Sequence, residues 1–362
     1  MRLILFGPLS APHTNNWAGL LDTDSSTSVE IITLHDGTST HKVTSFDLPV
    51  GKLRFLCAIP VMICLRTFFG QSKELMAHYL SSYGLVALLT GWRPVIVCWG
   101  SDVNVLTGKF PTFAKLVALI INRRARALIA PTEAIAKKLI GMGVNQKLIH
   151  TFQYGIKRER LLPAYKLRQK NPGGEAFRFA SIRNGAPIYQ IEKICDAFIQ
   201  STAYSRGAEL VIFGAGHSKL VQLYSRQHQQ IIISDGLEGE SFYNALALCD
   251  VAISIPVRDG LSLGVLEALG LGLDVILSRE GSYETILPTS GSRYVESSAS
   301  SSDLAIEIDS AFLSLSSSSS KTRSNDSLVL HNFICTNFDS EVATQKALKL
   351  FPSYIDKSVY DA

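Results

Sequence analysis

The sequence predicts an α/β protein built from two doubly wound, parallel-sheet halves. Short apolar runs alternate with helical segments over most of the chain. The runs are too continuously apolar for half-exposed strands, as expected for a sheet covered by helices on both faces. The alternation breaks once, at residues 158–175, where basic residues gather with Pro163, Pro172, Gly173 and Gly174. Such a stretch reads as a linker between domains.

In the first half, strands are predicted at residues 3–6, 29–34, 94–98, 127–130 and 148–152, with a short strand or turn at 74–79. Helices are expected from Trp17, at 53–69, 84–89, 113–125 and 133–142. Residues 1–7 form too short an apolar run for a signal peptide, and 55–69 carries Pro60 and Arg66, so no spanning helix is expected. In the second half, strands are predicted at 177–182, 209–213, 231–234, 251–255 and 275–277. Helices are expected at 191–202, 218–227 and 240–248. The serine-rich segment 297–324 reads as a short helix at 304–313 followed by a mobile loop at 316–320, and 341–350 as a closing helix. The expected domains are therefore residues 1–160, a linker at 161–175, residues 176–340, and a C-terminal helix and tail at 341–362 that packs back on the first domain.

A chain of 362 residues suffices for two full cores. A net charge of +4 is too mild for a nucleic-acid partner, but suits phosphorylated ligands or contact with an anionic membrane surface. The six cysteines have no metal-ligand spacing and read as buried free thiols in a reducing compartment.

The stretch 257–274 organises the second half: strand, polar turn, helix, turn, strand. Gly260, Ser262 and Gly264 open the helix, whose free N–H groups and dipole suit a phosphate. Asp259 lies in the turn and Glu267 one helical turn on, where carboxylates suit the hydroxyls of a ribose or sugar ring. Arg183, after the first strand of this half, could grip a diphosphate or form a surface ion pair. Gly214 and Gly216 fit a turn that a ligand approaches closely. In the first half, His13 faces either a ligand or solvent, His78 reads as a satisfied core histidine, and Asp102 either caps a turn or touches substrate. In such folds the ligand sits at the carboxyl ends of the strands, and with two sheets the cleft between them is the expected site. No nucleophile elbow, phosphate loop or complete dinucleotide fingerprint is present.

Together these residues resemble glycosyltransferase family 4, retaining enzymes of the GT-B fold. The resemblance spans nearly the whole chain. It rests on Asp259-Gly-Leu-Ser-Leu-Gly-Val-Leu-Glu267-Ala-Leu-Gly, Glu209-Leu-Val-Ile-Phe-Gly-Ala-Gly216, Cys249-Asp-Val-Ala-Ile-Ser254 and Gly281-Ser-Tyr-Glu284. In the first half it rests on Pro12-His-Thr-Asn-Asn-Trp17, Ala77-His-Tyr-Leu-Ser-Ser-Tyr-Gly84, Gly100-Ser-Asp102 and Tyr154-Gly-Ile156.

The resemblance implies two Rossmann-like domains facing a cleft, and transfer of a hexose-type sugar from a UDP- or GDP-sugar co-substrate without an obligatory metal or other cofactor. The acceptor it implies is a polysaccharide, lipopolysaccharide or glycolipid, handled in the cytoplasm, with room for peripheral association at the inner face of the plasma membrane. By the same resemblance Glu267 holds the ribose, and Asp259 meets the donor sugar. Arg183 and the N–H groups of Ser262 and Leu263, with Gly260, Gly214 and Gly216, hold the nucleotide diphosphate. His13 and Asp102 complete the catalytic set. Three departures stand out: Asp259 replaces the commoner Glu, Ile188 stands where a Lys usually follows the Arg, and Trp99 stands where many members carry His. Asp274 replaces a usual Pro and reads as structural. Two other readings remain: a catalytically weak nucleotide-sugar-binding subunit, and a nucleotide-sugar epimerase on the same fold.

Overall fold

The computed structural model describes residues 1–10, 12–22, 27–46, 48, 51, 53–69, 73–170, 176–279 and 283–354. The chain forms two compact units, one of residues 1–154 and 340–362, the other of residues 155–339.

The first unit carries seven parallel strands: β1 (Arg2–Phe6), β2 (Ser28–Thr33), β3 (Lys42–Ser45), β4 (Glu74–His78), β5 (Val95–Val97), β6 (Ala127–Ala130) and β7 (Ile149–Thr151), in the order β3-β2-β1-β4-β5-β6-β7. The strand order reverses between β1 and β4, so the crevice above their carboxyl ends is this unit's switch point. From β3 onward the chain moves across the sheet in one direction. Right-handed crossovers then place the helices Leu53–Phe69, Leu85–Leu89, Pro111–Arg124 and Glu133–Met142 on one face. The helix Pro12–Leu21 moves the other way and lies on the opposite face, where it packs against Ser340–Leu348.

The second unit carries β8 (Arg178–Ser181), β9 (Glu209–Phe213), β10 (Ile231–Ser234), β11 (Val251–Ser254), β12 (Asp274–Ser278) and β13 (Ser292–Val295), all parallel, in the order β10-β9-β8-β11-β12-β13. Its switch point lies between β8 and β11. One core layer, around Val265, Leu266 and Leu269, includes Leu246, Leu330 and Ile334. The other, around Ile194, Phe198 and Ile212, includes Leu304, Ile308 and Phe312.

The structure departs from the sequence expectations in several places. Residues 158–170 of the expected linker form a helix, Arg158–Lys170, which buries Leu161, Ala164 and Tyr165 and packs on the helix Gly239–Ala247 of the second unit. Residues 171–175 lie outside the described residues. The unit boundary falls at residue 155 instead, where Ile156 N–H donates to Phe338 O at 2.8 Å.

The serine-rich segment is two helices, Ser301–Ser317 and Ser320–Asn337, rather than a short helix and a loop. Ser300 caps the first in a reciprocal pair with Asp303, and Ser319 caps the second. Leu304, Ile308, Ala311 and Phe312 supply the buried stripe, so serine suits the caps and exposed positions. The helix Ser101–Lys109 and the edge strands β3 and β13 were not expected either. All six cysteines are free, but Cys64 is exposed and Cys57 half-buried, against the expectation of buried thiols.

At the boundary, Gly155 has φ +72°, and a Cβ built there would lie 2.4 Å from Phe338 O. Strained backbone and a clash with a carbonyl both oppose a side chain. Gly155→Ala is expected to cost about 2–4 kcal/mol of stability, read as a lowered midpoint in thermal or urea unfolding.

Candidate functional site

The second unit gathers its charged candidates at the switch point. Arg183 follows β8 and Asp259 follows β11, neighbouring strands paired from Phe179–Val251 to Ser181–Ile253. The Arg183 guanidinium forms an ion pair with Asp259 Oδ2. Its Nε–H donates to Ser254 Oγ at 2.8 Å, and its carbon sits 4.9 Å from the Tyr189 ring centroid. Burial opposes the guanidinium charge, but Asp259 and the flanking Tyr283 and Tyr189 outweigh it and raise the Arg183 pKa.

Asp259 is held from two other directions. Its Oδ1 accepts from Gly260 N–H at 2.9 Å, and its Oδ2 accepts from Tyr283 Oη–H at 2.9 Å. Tyr283 is fully buried, and its hydroxyl also accepts from Ser262 N–H at 3.1 Å. Ser262 is the N-cap of the helix Leu263–Gly270, and its own side chain makes no cap hydrogen bond. The helix dipole therefore points its positive end at the loop that holds Asp259.

Glu267 lies on the same helix and accepts from Tyr243 Oη–H at 2.7 Å. Burial pushes its pKa from the ordinary 4.5 to about 7, against the opposing effects of the Tyr243 hydrogen bond and the Arg160 charge. Gly214 (φ +89°) and Gly216 (φ +78°) turn the chain after β9. Gly185 N–H donates to Ala215 O at 3.0 Å, and a Cβ on Gly214 would lie 3.1 Å from Asn184 Cα. The glycines thus let this turn press against the backbone just after Arg183. Lys193 does not stand in for the lysine missing at Ile188: its ammonium donates to Ser297 O at 3.1 Å and Ala299 O at 2.8 Å.

The first unit gathers rings instead of charges. His13 stacks on Trp99 with centroids 3.9 Å apart, and His78 lies near-parallel to Trp99 at 5.9 Å. Burial lowers the His13 pKa to about 4, and burial with the neighbouring His13 lowers that of His78 to about 3. Both rings are therefore neutral at neutral pH.

His78 is core, as expected, but not satisfied: neither ring nitrogen has a hydrogen-bond partner among the described residues. Next to it Tyr79 has φ +64° and opens a π-helix, Tyr79–Gly84. Both features mark strain of the kind found at functional sites. Asp102 is buried and accepts from the N–H groups of Leu80 (2.6 Å), Trp99 (3.0 Å) and Val103 (3.0 Å). Burial raises its pKa against these bonds. This geometry fits a residue that positions the Trp99 turn, rather than one that touches substrate.

The sequence reasoning missed Tyr283, Tyr243 and Ser254, the residues that hold the acids and Arg183 in place. Tyr283 and Ser254 each lie inside or beside a segment already notable for its pattern, just after β12 and at the end of β11. Residues 281 and 282 of the Gly281–Glu284 pattern lie outside the described residues.

No family model matches the chain, and no curated protein sequence matches it. Solved structures do. Anabaena HepE in complex with UDP and glucose matches at 14% identity and TM-score 0.73, over 98% of this chain and 100% of that one. Sucrose-phosphate synthase from Thermosynechococcus elongatus matches at 13% and 0.73, over 97% and 98%. WaaG, a glycosyltransferase involved in lipopolysaccharide biosynthesis, matches at 12% and 0.71, over 98% and 100%. At these identities the likeness shows the fold, and the chain has the GT-B fold.

The raised Glu267 pKa carries a sign. A neutral Glu267 is favoured in the folded state, so its contribution is fully present below the ordinary carboxyl value and is lost as pH rises through about 7. Glu267→Gln is expected to be more stable than wild type by about 2–3 kcal/mol above neutral pH, with the difference vanishing below about pH 4. Urea unfolding across pH reads it, and a pH-independent difference would contradict it.

Proposed function

We propose that this chain is a glycosyltransferase that takes a hexose-type sugar from a nucleotide donor and retains its anomeric configuration, in the manner of family 4. The observation that carries this reading is the linked set Arg183–Asp259–Tyr283–Ser262 at the switch point, joined to a helix N-terminus. In such a transfer negative charge develops on the departing nucleoside diphosphate. Arg183 and the backbone N–H groups beside Ser262 and Leu263 stabilise that charge where it forms. Asp259 orients the donor sugar through its hydroxyls, and Glu267, one turn into the helix, takes the ribose hydroxyls. The GT-B fold supports this reading, as do UDP and glucose bound to HepE and the glycosyltransferase WaaG. A uridine nucleotide is accordingly the first donor to try, and a polysaccharide, lipopolysaccharide or glycolipid the acceptor.

One observation favours a second reading, a nucleotide-sugar-binding subunit with weak turnover. Arg183 is already engaged by Asp259 and Ser254, and no lysine stands at residue 188 to share a diphosphate. A phosphate must then compete with Asp259 for the Arg183 guanidinium.

Incubation with UDP- and GDP-sugars and a glycan acceptor separates the two. The first reading predicts release of nucleoside diphosphate and a product of unchanged anomeric configuration by NMR, with turnover falling about 10²–10³-fold in Arg183→Gln. Nucleotide binding without turnover moves the second reading ahead. Formation of an isomeric nucleotide sugar without acceptor replaces both with an epimerase.

A further inference from the structure

The loop that follows β11 is pinned along its length. Ile255 O accepts from Gln190 Nε2–H at 2.6 Å, Pro256 O accepts from Ser278 Oγ–H at 2.9 Å, and Val257 N–H donates to Ile188 O at 2.9 Å. Further along, Asp259 is bound to Arg183, Gly260 and Tyr283. Arg258 stands between these anchors and is the exception. Its side chain is exposed and makes no hydrogen bond or ion pair among the described residues. With the backbone fixed on both sides, the point at which this long cation leaves the chain is fixed too, and its own torsions are left free to search.

The switch point is short of positive charge for a diphosphate. The charges of Arg183 and Asp259 cancel, and the N-terminus of the helix Leu263–Gly270 offers the equivalent of about half a positive charge. A nucleoside diphosphate brings more than one negative charge, so a further cation is needed. The other cations at this end of the sheet are engaged. Arg279, after β12, is ion-paired with Glu284 and, at 2.9 Å, with Glu296. Lys193 donates to Ser297 O and Ala299 O. His217, after β9, lies 2.8 Å from Gly214 O and 3.6 Å from Asp235. Ile188, which the loop touches through its carbonyl, brings no charge. Arg258 is both unpaired and next in sequence to the acid that engages Arg183. Consecutive Cα atoms are about 3.8 Å apart, well within the reach of an arginine side chain.

We propose that Arg258 is a second diphosphate-binding cation, beside Arg183. Its guanidinium turns onto the phosphate oxygens as the ligand binds and pairs with them through parallel N–H donors. The ligand's charge is then balanced without Arg183 having to abandon Asp259. The inference rests on the reading of the loop and helix from Asp259 to Glu267 as a nucleotide site, and adds the residue that balances the charge of the leaving group.

Calorimetric titration of the full chain with UDP, GDP and inorganic pyrophosphate tests it, on wild type, Arg258→Gln and Arg258→Lys. Pyrophosphate presents the diphosphate without a base. Arg226→Gln, at an exposed position in the last turn of the helix Lys219–Gln227, controls for loss of a charge elsewhere on the same unit. Arg258→Gln is expected to weaken binding about tenfold or more at low salt, with the difference narrowing as salt rises. Arg258→Lys is expected to retain part of the affinity, because it keeps the charge and loses the planar fork. Arg226→Gln is expected to match wild type. The Arg258 side chain is exposed and unpaired, so thermal unfolding of its variants is expected to be unchanged. Equal binding by wild type and Arg258→Gln, or an equally large loss in Arg226→Gln, overturns this inference and leaves the nucleotide site standing. Binding of none of the three ligands to wild type overturns the nucleotide site, and this inference with it.

Discussion

The Asp259 carboxylate is the constraint on which the candidate site depends. It joins Arg183 from the loop after β8, Gly260 in its own loop and Tyr283 from beyond β12. Through the Tyr283 hydroxyl it reaches the backbone of Ser262 at the helix N-terminus. A half-buried ion pair is held together only when further hydrogen bonds compensate its desolvation, and here Ser254 and Tyr283 supply them. The pair exists because the topology reversal makes β8 and β11 neighbours. Without that reversal the two loops would emerge on separated strands. The arrangement has a chemical consequence for the proposed nucleotide site: a phosphate there would meet a guanidinium whose charge is already directed at a carboxylate, and would have to rearrange or share that contact.

The first unit repeats the topological logic with different chemistry. Gly7 follows β1 and His78 ends β4, the two strands at its switch point, and a Cβ on Gly7 would lie 3.1 Å from the His78 side chain. Asp102 fixes the crevice by binding the backbone at both Leu80 and Trp99. Burial keeps His13 and His78 neutral, so this crevice offers rings and uncharged nitrogens where the second unit offers an arginine and acids. Uncharged nitrogens suit hydroxyl groups better than phosphates.

Much of this was legible in the sequence, for physical reasons. Central parallel strands are buried on both faces, so β1, β9, β11 and β12 appear as continuous apolar runs. The edge strands β3 and β13 have no fully apolar run, because solvent reaches one side, and they were missed. Serine misled at 297–324, where hydroxyls that usually mark loops act as helix caps at Ser300 and Ser319. The linker reading failed because Pro163 sits inside a helix that Leu161 and Tyr165 anchor to the second core. Arg183, Asp259 and Glu267 were visible because each sits at a fixed offset from a strand end. Their supports were not, since Tyr243 reaches Glu267, and Tyr283 reaches Asp259, from other elements 24 residues away in sequence. Only the folded sheet brings those elements together.

The central claim is that the loop and helix from Asp259 to Glu267 form a nucleotide site. Calorimetric titration of wild type and Glu267→Ala with UDP, GDP, ADP and CMP tests it most directly. The account predicts that one nucleoside diphosphate binds wild type and that Glu267→Ala weakens it at least about tenfold, as expected for loss of hydrogen bonds to two ribose hydroxyls. No binding by any of the four, or equal binding by the variant, would contradict it.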